Sequence, residues 1–232
     1  ILIEPLVSRF GYEGLFYVIG TSYVLTVVTL LMMRTTGHKV ASTSRTAIEG
    51  LLQGFAYLKH QKSISSVILL GVTLGLFGSS FDTLLPVFAD EIFDTGLDAG
   101  GRLLLGAGIG GLAATTAITL IGKRVRPALY LTIAGIGLGA AQLAFARIDI
   151  LSAAILIAGA IGGFKVVLGT MNTTVVQTLV DEEFRGRVMS INQFTWGASS
   201  LGGLLMGYLA QRFDAPTAMT VGGITAIVAT VF

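Results

Sequence analysis

The chain contains no cysteine, so neither a disulfide framework nor a thiolate metal site can be built from it. Its two histidines, His38 and His60, stand in one basic stretch, which leaves neither a histidine metal cluster nor a Ser/His/Asp set. Charge is also scarce: Asp, Glu, Lys and Arg make up 12% of the residues, about half the share of a soluble domain. No Walker loop occurs, so ATP is not used directly. "GAGIGG" at Gly106–Gly111 lies inside an apolar run with no strand before it and is not a dinucleotide loop. No initiator Met or signal peptide is present. The sequence opens on "ILIEPL" and stops at "ATVF" within apolar runs, as expected of a fragment cut inside helices at both ends.

What remains is apolar. Hydrophobic residues are 53% of the 232, and mean hydropathy is +0.82, which suits a bilayer. Seven runs are long enough to span, or nearly so: Leu15–Met33, Val67–Ala89, Leu103–Gly122, Ala128–Ala146, Ile150–Leu179, Val188–Ala210 and Pro216–Phe232. Their length and lack of strict alternation predict helices, giving an all-α polytopic membrane protein. The fifth run exceeds a single crossing and is expected to protrude.

Basic residues alternate between the loops. Arg34, Lys39, Arg45, Lys59 and Lys62 follow the first span, Lys123, Arg124 and Arg126 the third, and Arg185 and Arg187 the fifth. The opposite side holds Arg9, Arg102, Arg147 and Arg212. Ten against four predicts that the richer loops are cytoplasmic, and it explains a pI near 9.0 without nucleic acid as a partner. The acidic stretch Asp90, Glu91, Asp94 and Asp98 then faces outward.

Within the first cytoplasmic loop, "TAIE" offers Thr46 as N-cap and Glu49 three residues on, a capping box. Ile48, Leu51, Leu52 and Phe55 follow on one face, with Lys59, His60 and Lys62 toward the end. This reads as a lateral helix on the membrane surface. Small-xxx-small pairs recur at Gly71/Gly75, Gly106/Gly110, Gly135/Gly139, Gly159/Gly163 and Gly203/Gly207. They permit close helix approach, in a rocking machine or a static bundle alike.

The two ends of the chain echo each other. "LVSRFGYEGLFYVIG", Leu6–Gly20, matches "LAQRFDAPTAMTVGG", Leu209–Gly223, at a constant offset of 203 residues. Leu6, Arg9, Phe10, Val18 and Gly20 recur as Leu209, Arg212, Phe213, Val221 and Gly223. A parallel repeat of six helices marks a transporter architecture of two similar halves. On that reading each stretch is an outer loop entering the last helix of its half, and about as much protein again lies upstream.

The stretch "NTTVVQTLVDEEFRGRVMSINQFTWGASSLGGLLMGYLAQRFD", Asn172–Asp214, resembles the major facilitator superfamily, most closely its bacterial efflux branch of enterobactin-exporter-like and macrolide-efflux-like proteins. "FDTLLPVFADEIF", Phe81–Phe93, looks like that branch's first C-half helix and its exit. "GKRVRP", Gly122–Pro127, sits where the superfamily's basic loop between helices 8 and 9 belongs, without that motif's acidic member.

The resemblance implies seven of twelve spans. Residues 1–34 would be the end of the fifth-helix loop and the last helix of the N-terminal half. Residues 35–63 would be the cytoplasmic linker, and 64–232 the C-terminal half with its last helix truncated. It further implies alternating access, a cavity between two six-helix halves, and proton-driven export of drug- or siderophore-like amphipathic molecules across a bacterial inner membrane. The proton gradient would stand in place of any cofactor. The partners would be the bilayer, the substrate and the missing N-terminal half.

Two charges fall within spans, Asp82 in the second and Lys165 in the fifth, each costing about 2.5–3.5 kcal/mol at a helix centre on insertion scales. Asp82 shares a face with Gly75, Ser79 and Pro86, and Lys165 with Gly169 and Asn172, which read as wetted stripes. By the resemblance both helices line the cavity. Counting from the span ends sets the two charges at depths about 12–15 Å apart, so each is expected to face the cavity separately. Lys165 would attract anionic groups or influence proton coupling, and Asp82 would lie near the outer gate. Snorkelling with a local hydrogen bond would equally accommodate either residue.

Gln193, Trp196 and Ser200 share a face of the sixth span, suited to amphipathic substrates or to ordinary packing. In "DEEFRGRVMS", Asp181, Glu182 and Glu183 precede a helix N-terminus that favours negative charge, and Arg185 and Arg187 hold the loop inside. The resemblance adds a cytoplasmic gate role for Asp181, Glu182, Arg185 and Arg187. A seven-helix receptor and a non-transporting membrane scaffold are the alternatives.

Overall fold

A computed structural model describes residues 3–32, 47–78, 80–93, 97–121 and 126–232. It forms two compact units, residues 1–43 and 44–232.

The described residues of the first unit form one helix, α1, Ile3–Met32. From Phe16 to Met32 its side chains are exposed all round and mostly apolar, which suits a lipid environment. The hydroxyls of Thr21, Thr26 and Thr29 donate to carbonyls one turn back, so these three groups are satisfied within the helix.

The second unit runs α2 Ala47–His60, α3 Lys62–Gly78, α4 Ser80–Val87, a π turn Phe88–Ile92, α5 Leu97–Ile121, α6 Pro127–Phe145, α7 Leu151–Leu179, α8 Arg185–Asn192, α9 Phe194–Arg212 and α10 Ala215–Val231. The chain is an all-α, multi-pass membrane protein. Four runs are long and apolar enough to cross a membrane: Lys62–Ile92, Asp98–Leu120, Pro127–Phe145 and Leu151–Leu179. Phe16–Met32 and Ala215–Val231 are apolar but shorter. The sixth expected span, Val188–Ala210, is divided between α8 and α9 at Gln193.

One core joins α3 to α7 and α10. Phe145 at the end of α6 anchors it, with Phe81 edge-on at 5.2 Å between ring centres and Phe88 tilted at 5.0 Å. Glycines set how closely the helices approach. A Cβ on Gly110 would lie 1.8 Å from the Gly159 carbonyl oxygen, and one on Gly162 would lie 2.1 Å from that of Ala107. So α5 and α7 touch backbone to backbone, as the Gly106/Gly110 and Gly159/Gly163 spacings predict.

Two expectations change here. Leu6–Gly14, expected as an outer loop, is continuous helix in α1. Its counterpart breaks at Phe213–Asp214. There Asp214 caps α10 by accepting from the Thr217 amide at 2.5 Å and Pro216 occupies the first turn, whereas "RFGYEG" has neither device. The echo in sequence is therefore not an echo in local conformation.

The lateral helix is α2, whose expected cap Thr46 lies outside the described residues. Its apolar residues divide over two faces. Leu51 and Leu58 pack into a second core with Val188 and Ile191 of α8, and a Cβ on Gly54 would lie 2.8 Å from Ile191 Cδ1. Ile48, Leu52 and Phe55 stay exposed. α2 is thus docked on α8, with three of the four residues of its expected apolar face left outward.

Candidate functional site

α3, α4, α6, α7 and α9 enclose a cavity of about 200 Å³. Leu70, Leu74, Leu131, Leu138 and Leu168 give it apolar walls. Gly71, Gly75 and Gly78 lie on its α3 side, where a side chain on Gly71 or Gly75 would collide with α7 or α9. A Cβ on Gly71 would lie 2.8 Å from Asn172 Nδ2, and one on Gly75 would lie 2.4 Å from the Thr195 carbonyl oxygen. Close approach therefore shapes the floor.

The polar groups of the wall are few. Asp82, Lys165, Asn172, Thr173, Thr195 and Ser199 contribute them, and Trp196 adds an aromatic face. Such an apolar wall with a few convergent polar groups is the usual make-up of a small-molecule site.

Asp82 and Lys165 form a salt bridge, Nζ to Oδ2. This corrects the expectation that they face the cavity separately. That expectation measured both depths against one bilayer thickness, but both helices overrun it. α7 has 29 residues, about 43 Å, and Lys165 is the fifteenth, so it sits at the middle of the helix. The run carrying Asp82 begins at Lys62, five residues before the expected start. Asp82 then lies about five residues past the middle of its run, an axial offset of about 7.5 Å that the long lysine stem spans. The pair is open to the cavity: 33% of the lysine side chain and 54% of the aspartate side chain are accessible.

Asn172 reaches the cavity and is also structural. It is buried, and Nδ2 donates to the Val67 carbonyl at 2.8 Å, tying α7 to α3. Gly169 lines the cavity beside Lys165, as their shared stripe predicts. Gly75 lines it with Asp82, Pro86 is not among the lining residues, and Ser79 lies outside the described residues.

On α9 the lining residues are Thr195, Trp196 and Ser199; Gln193 and Ser200 are exposed away from the cavity. The expected face assumed an unbroken helix. Gln193 instead forms the turn between α8 and α9, and the face of α9 that meets the cavity is the i, i+1, i+4 set Thr195, Trp196 and Ser199.

The motif around Asp181 lies elsewhere, against α2. Tyr57 Oη donates to Asp181 Oδ2 at 3.0 Å, and the Asp181 amide donates to Tyr57 Oη at 3.3 Å. The Tyr57 ring stacks on Phe184 at 4.5 Å, and Arg187 Cζ lies 5.2 Å from the same ring. Glu182 and Arg185 are exposed. No side chain caps α8, whose N-cap is Phe184.

Sequence reading passed over Gln142. It is fully buried, and Nε2 donates to the Gly78 carbonyl at 2.9 Å, tying α6 to α3. Its Oε1 has no hydrogen-bond partner among the described residues. Ser80, also fully buried, donates to the Phe77 carbonyl three residues back. The cost argument that singled out Asp82 and Lys165 applies to an amide inside an apolar span, and would have found Gln142.

An all-α bundle that spans a membrane and opens a partly polar cavity between its helices has the form of a membrane carrier. The chain belongs to the Major Facilitator Superfamily, which it matches over residues 2–203. That membership sets it among transport proteins and not enzymes, and the seven-helix receptor reading gives way. The chain is similar to a staphyloferrin A transporter from Staphylococcus aureus (strain NCTC 8325 / PS 47), with 27% identity over 173 residues. The aligned part is 74% of this chain and 43% of that protein, so the chain spans less than half the length of the curated relative it matches.

Proposed function

We propose that this chain is the cavity-bearing part of a secondary active transporter that exports amphipathic small molecules by alternating access. The observation that carries the reading is the Asp82–Lys165 pair set in an apolar cavity. Charge inside a membrane protein is costly and is kept where ions or substrates pass. Trp196 and the leucines take the apolar part of a substrate, and Asn172, Thr195 and Ser199 take its polar groups.

The N-terminal half of the same protein supplies the facing wall, and a proton gradient supplies the drive. Drug- or siderophore-like molecules fit such a wall, in keeping with the relative named for staphyloferrin A. The basic loops face the cytoplasm of a bacterial inner membrane. Asp181, Glu182, Arg185 and Arg187 lie at the end that closes against the cytoplasm.

The test is flux of a lipophilic dye through the full-length protein in proteoliposomes, with and without an imposed proton gradient. Gradient-dependent movement against the concentration difference is expected. Movement only down the concentration difference, whatever the gradient, would remove proton-coupled export.

A further inference from the structure

We propose that α2 docks on an anionic phospholipid surface: Ile48, Leu52 and Phe55 enter the acyl layer, and Lys59, with Lys62 beyond it, meets the lipid phosphates. This surface is apart from the cavity, and its lipid contact does not depend on transport.

The end of α2 is pinned to a membrane-spanning helix. The Gln61 amide donates to the Leu58 carbonyl at 3.0 Å, and the Ser65 hydroxyl donates to the same carbonyl at 2.6 Å. Lys62, at this corner, is the first residue of both α3 and an apolar run long enough to cross a membrane. Leu58 is buried in one core with Ile64 and Ile68 of α3, Val176 and Val180 at the end of α7, and Val188 and Ile191 of α8. Tyr57 adds its hydrogen bond to Asp181. α2 is therefore fastened to the ends of helices that span the membrane, and its free face lies at the membrane boundary.

That free face is ordered along the helix. Ile48, Leu52, Phe55 and Lys59 stand at i, i+4, i+7 and i+11, which makes one stripe. Ile48, Leu52 and Phe55 are 71%, 64% and 53% exposed, and Lys59 is exposed as well. The stripe lies about a third of a turn from Gly54 and Leu58, which face the core. Compared with the face read from sequence, the structure withdraws Leu51 and brings Lys59 into line, so the contact becomes selective for charge.

Three apolar side chains followed by a cation match one phospholipid leaflet. The lysine stem lies along apolar surface while its ammonium reaches the phosphates. Lys62, also exposed, stands at the same corner, whereas the acidic residue of α2, Glu49, is ten residues from Lys59, about 15 Å along the axis. Attraction to the C-terminal carbonyls of α2 explains a cation in the last turn, as His60 also provides, but not its alignment with the apolar stripe. A protein partner would need a matching groove; a bilayer needs only proximity, which the α2–α3 corner supplies. Two ammonium groups at that corner favour an anionic over a zwitterionic surface, by about fivefold in partitioning for each.

The experiment uses the full-length protein carrying Leu52→Cys as its sole cysteine, with a nitroxide on it. The protein is placed in nanodiscs of phosphatidylcholine with or without phosphatidylglycerol. Collisions with oxygen, which concentrates in the bilayer, and with a neutral nickel chelate, which stays in water, are read by power saturation. Phosphatidylglycerol is expected to raise the oxygen-to-nickel ratio by about threefold or more. Lys59→Glu with Lys62→Gln should remove that gain, and Lys59→Arg should keep it.

A ratio indifferent to phosphatidylglycerol would overturn the proposal without any variant. Ready collision with nickel in both lipids would set the stripe in water. Protection from both agents would set it under protein, such as the N-terminal half. Either result would overturn the proposal, as would a gain that survives Lys59→Glu with Lys62→Gln in folded protein.

Discussion

The α5–α7 seam and the α3–α9 wall both rely on glycine, and they put it to different use. At the seam, Gly106 and Gly110 meet Gly159 and Gly163 between two uninterrupted helices of 25 and 29 residues. At the wall, contact is as close: a Cβ on Gly202 would lie 2.0 Å from the Leu76 carbonyl oxygen. But α9 begins only at Phe194, after the turn at Gln193, so one of the helices that meet there is interrupted. Thr195 and Ser199, just past that turn, line the cavity. Small residues alone do not distinguish a fixed contact from a moving one; the continuity of the helices behind them does.

The contrast is broken most severely by leucine at the seam. Gly110→Leu forces a side chain into the Gly159 backbone and should cost about 3 kcal/mol or more, read as loss of monodisperse protein and a lower Tm. Gly207→Leu, with nothing within 4 Å of its Cβ, is the neutral control.

The same substitution at the cavity should spare the fold and stop the function. Gly169 lines the cavity and also has open space around its Cβ. Gly169→Leu should leave Tm within a degree or two of the parent, as changes away from packed sites usually do. It should fill the cavity and lower dye flux about tenfold, equivalent to about 1.4 kcal/mol.

Gln142→Leu is a finer probe of the contact between α6 and α3. It removes the bond to Gly78 and also a buried oxygen without a partner, so net stability should shift by only about 1 kcal/mol in either direction. The change is read as Tm.

The smallest effect belongs to Asp214. The side chain and the amide of Thr217 hold its carboxyl below the ordinary range. A lowered folded pKa means that this contribution is complete above the unfolded value of about 3.9 and is lost as pH falls through the folded value. Asp214→Ala should therefore lower Tm slightly at pH 7, and the difference should shrink below about pH 4.

Much of this was legible in the sequence. Run lengths located the helices, with Leu151–Leu179 falling within one residue of its expected bounds. The cost of charge in lipid singled out Asp82 and Lys165, and the Gly-xxx-Gly spacing located the α5–α7 seam. What eluded it was phase and depth. Which face of α9 meets the cavity is set by its packing against other helices, so Thr195 and Ser199 were missed in favour of Gln193 and Ser200. The Asp82–Lys165 pairing depends on how far two helices overrun the bilayer, which composition does not encode. Tyr57 on Asp181 joins residues 124 apart and is a tertiary fact with no sequence spacing behind it.

The account stands on Lys165 acting at the substrate site. The most direct measurement is gradient-driven flux of the lipophilic dye through full-length protein carrying Lys165→Met, reconstituted at the same density as the parent. A fall of tenfold or more with normal insertion and Tm is predicted. Undiminished flux would contradict it.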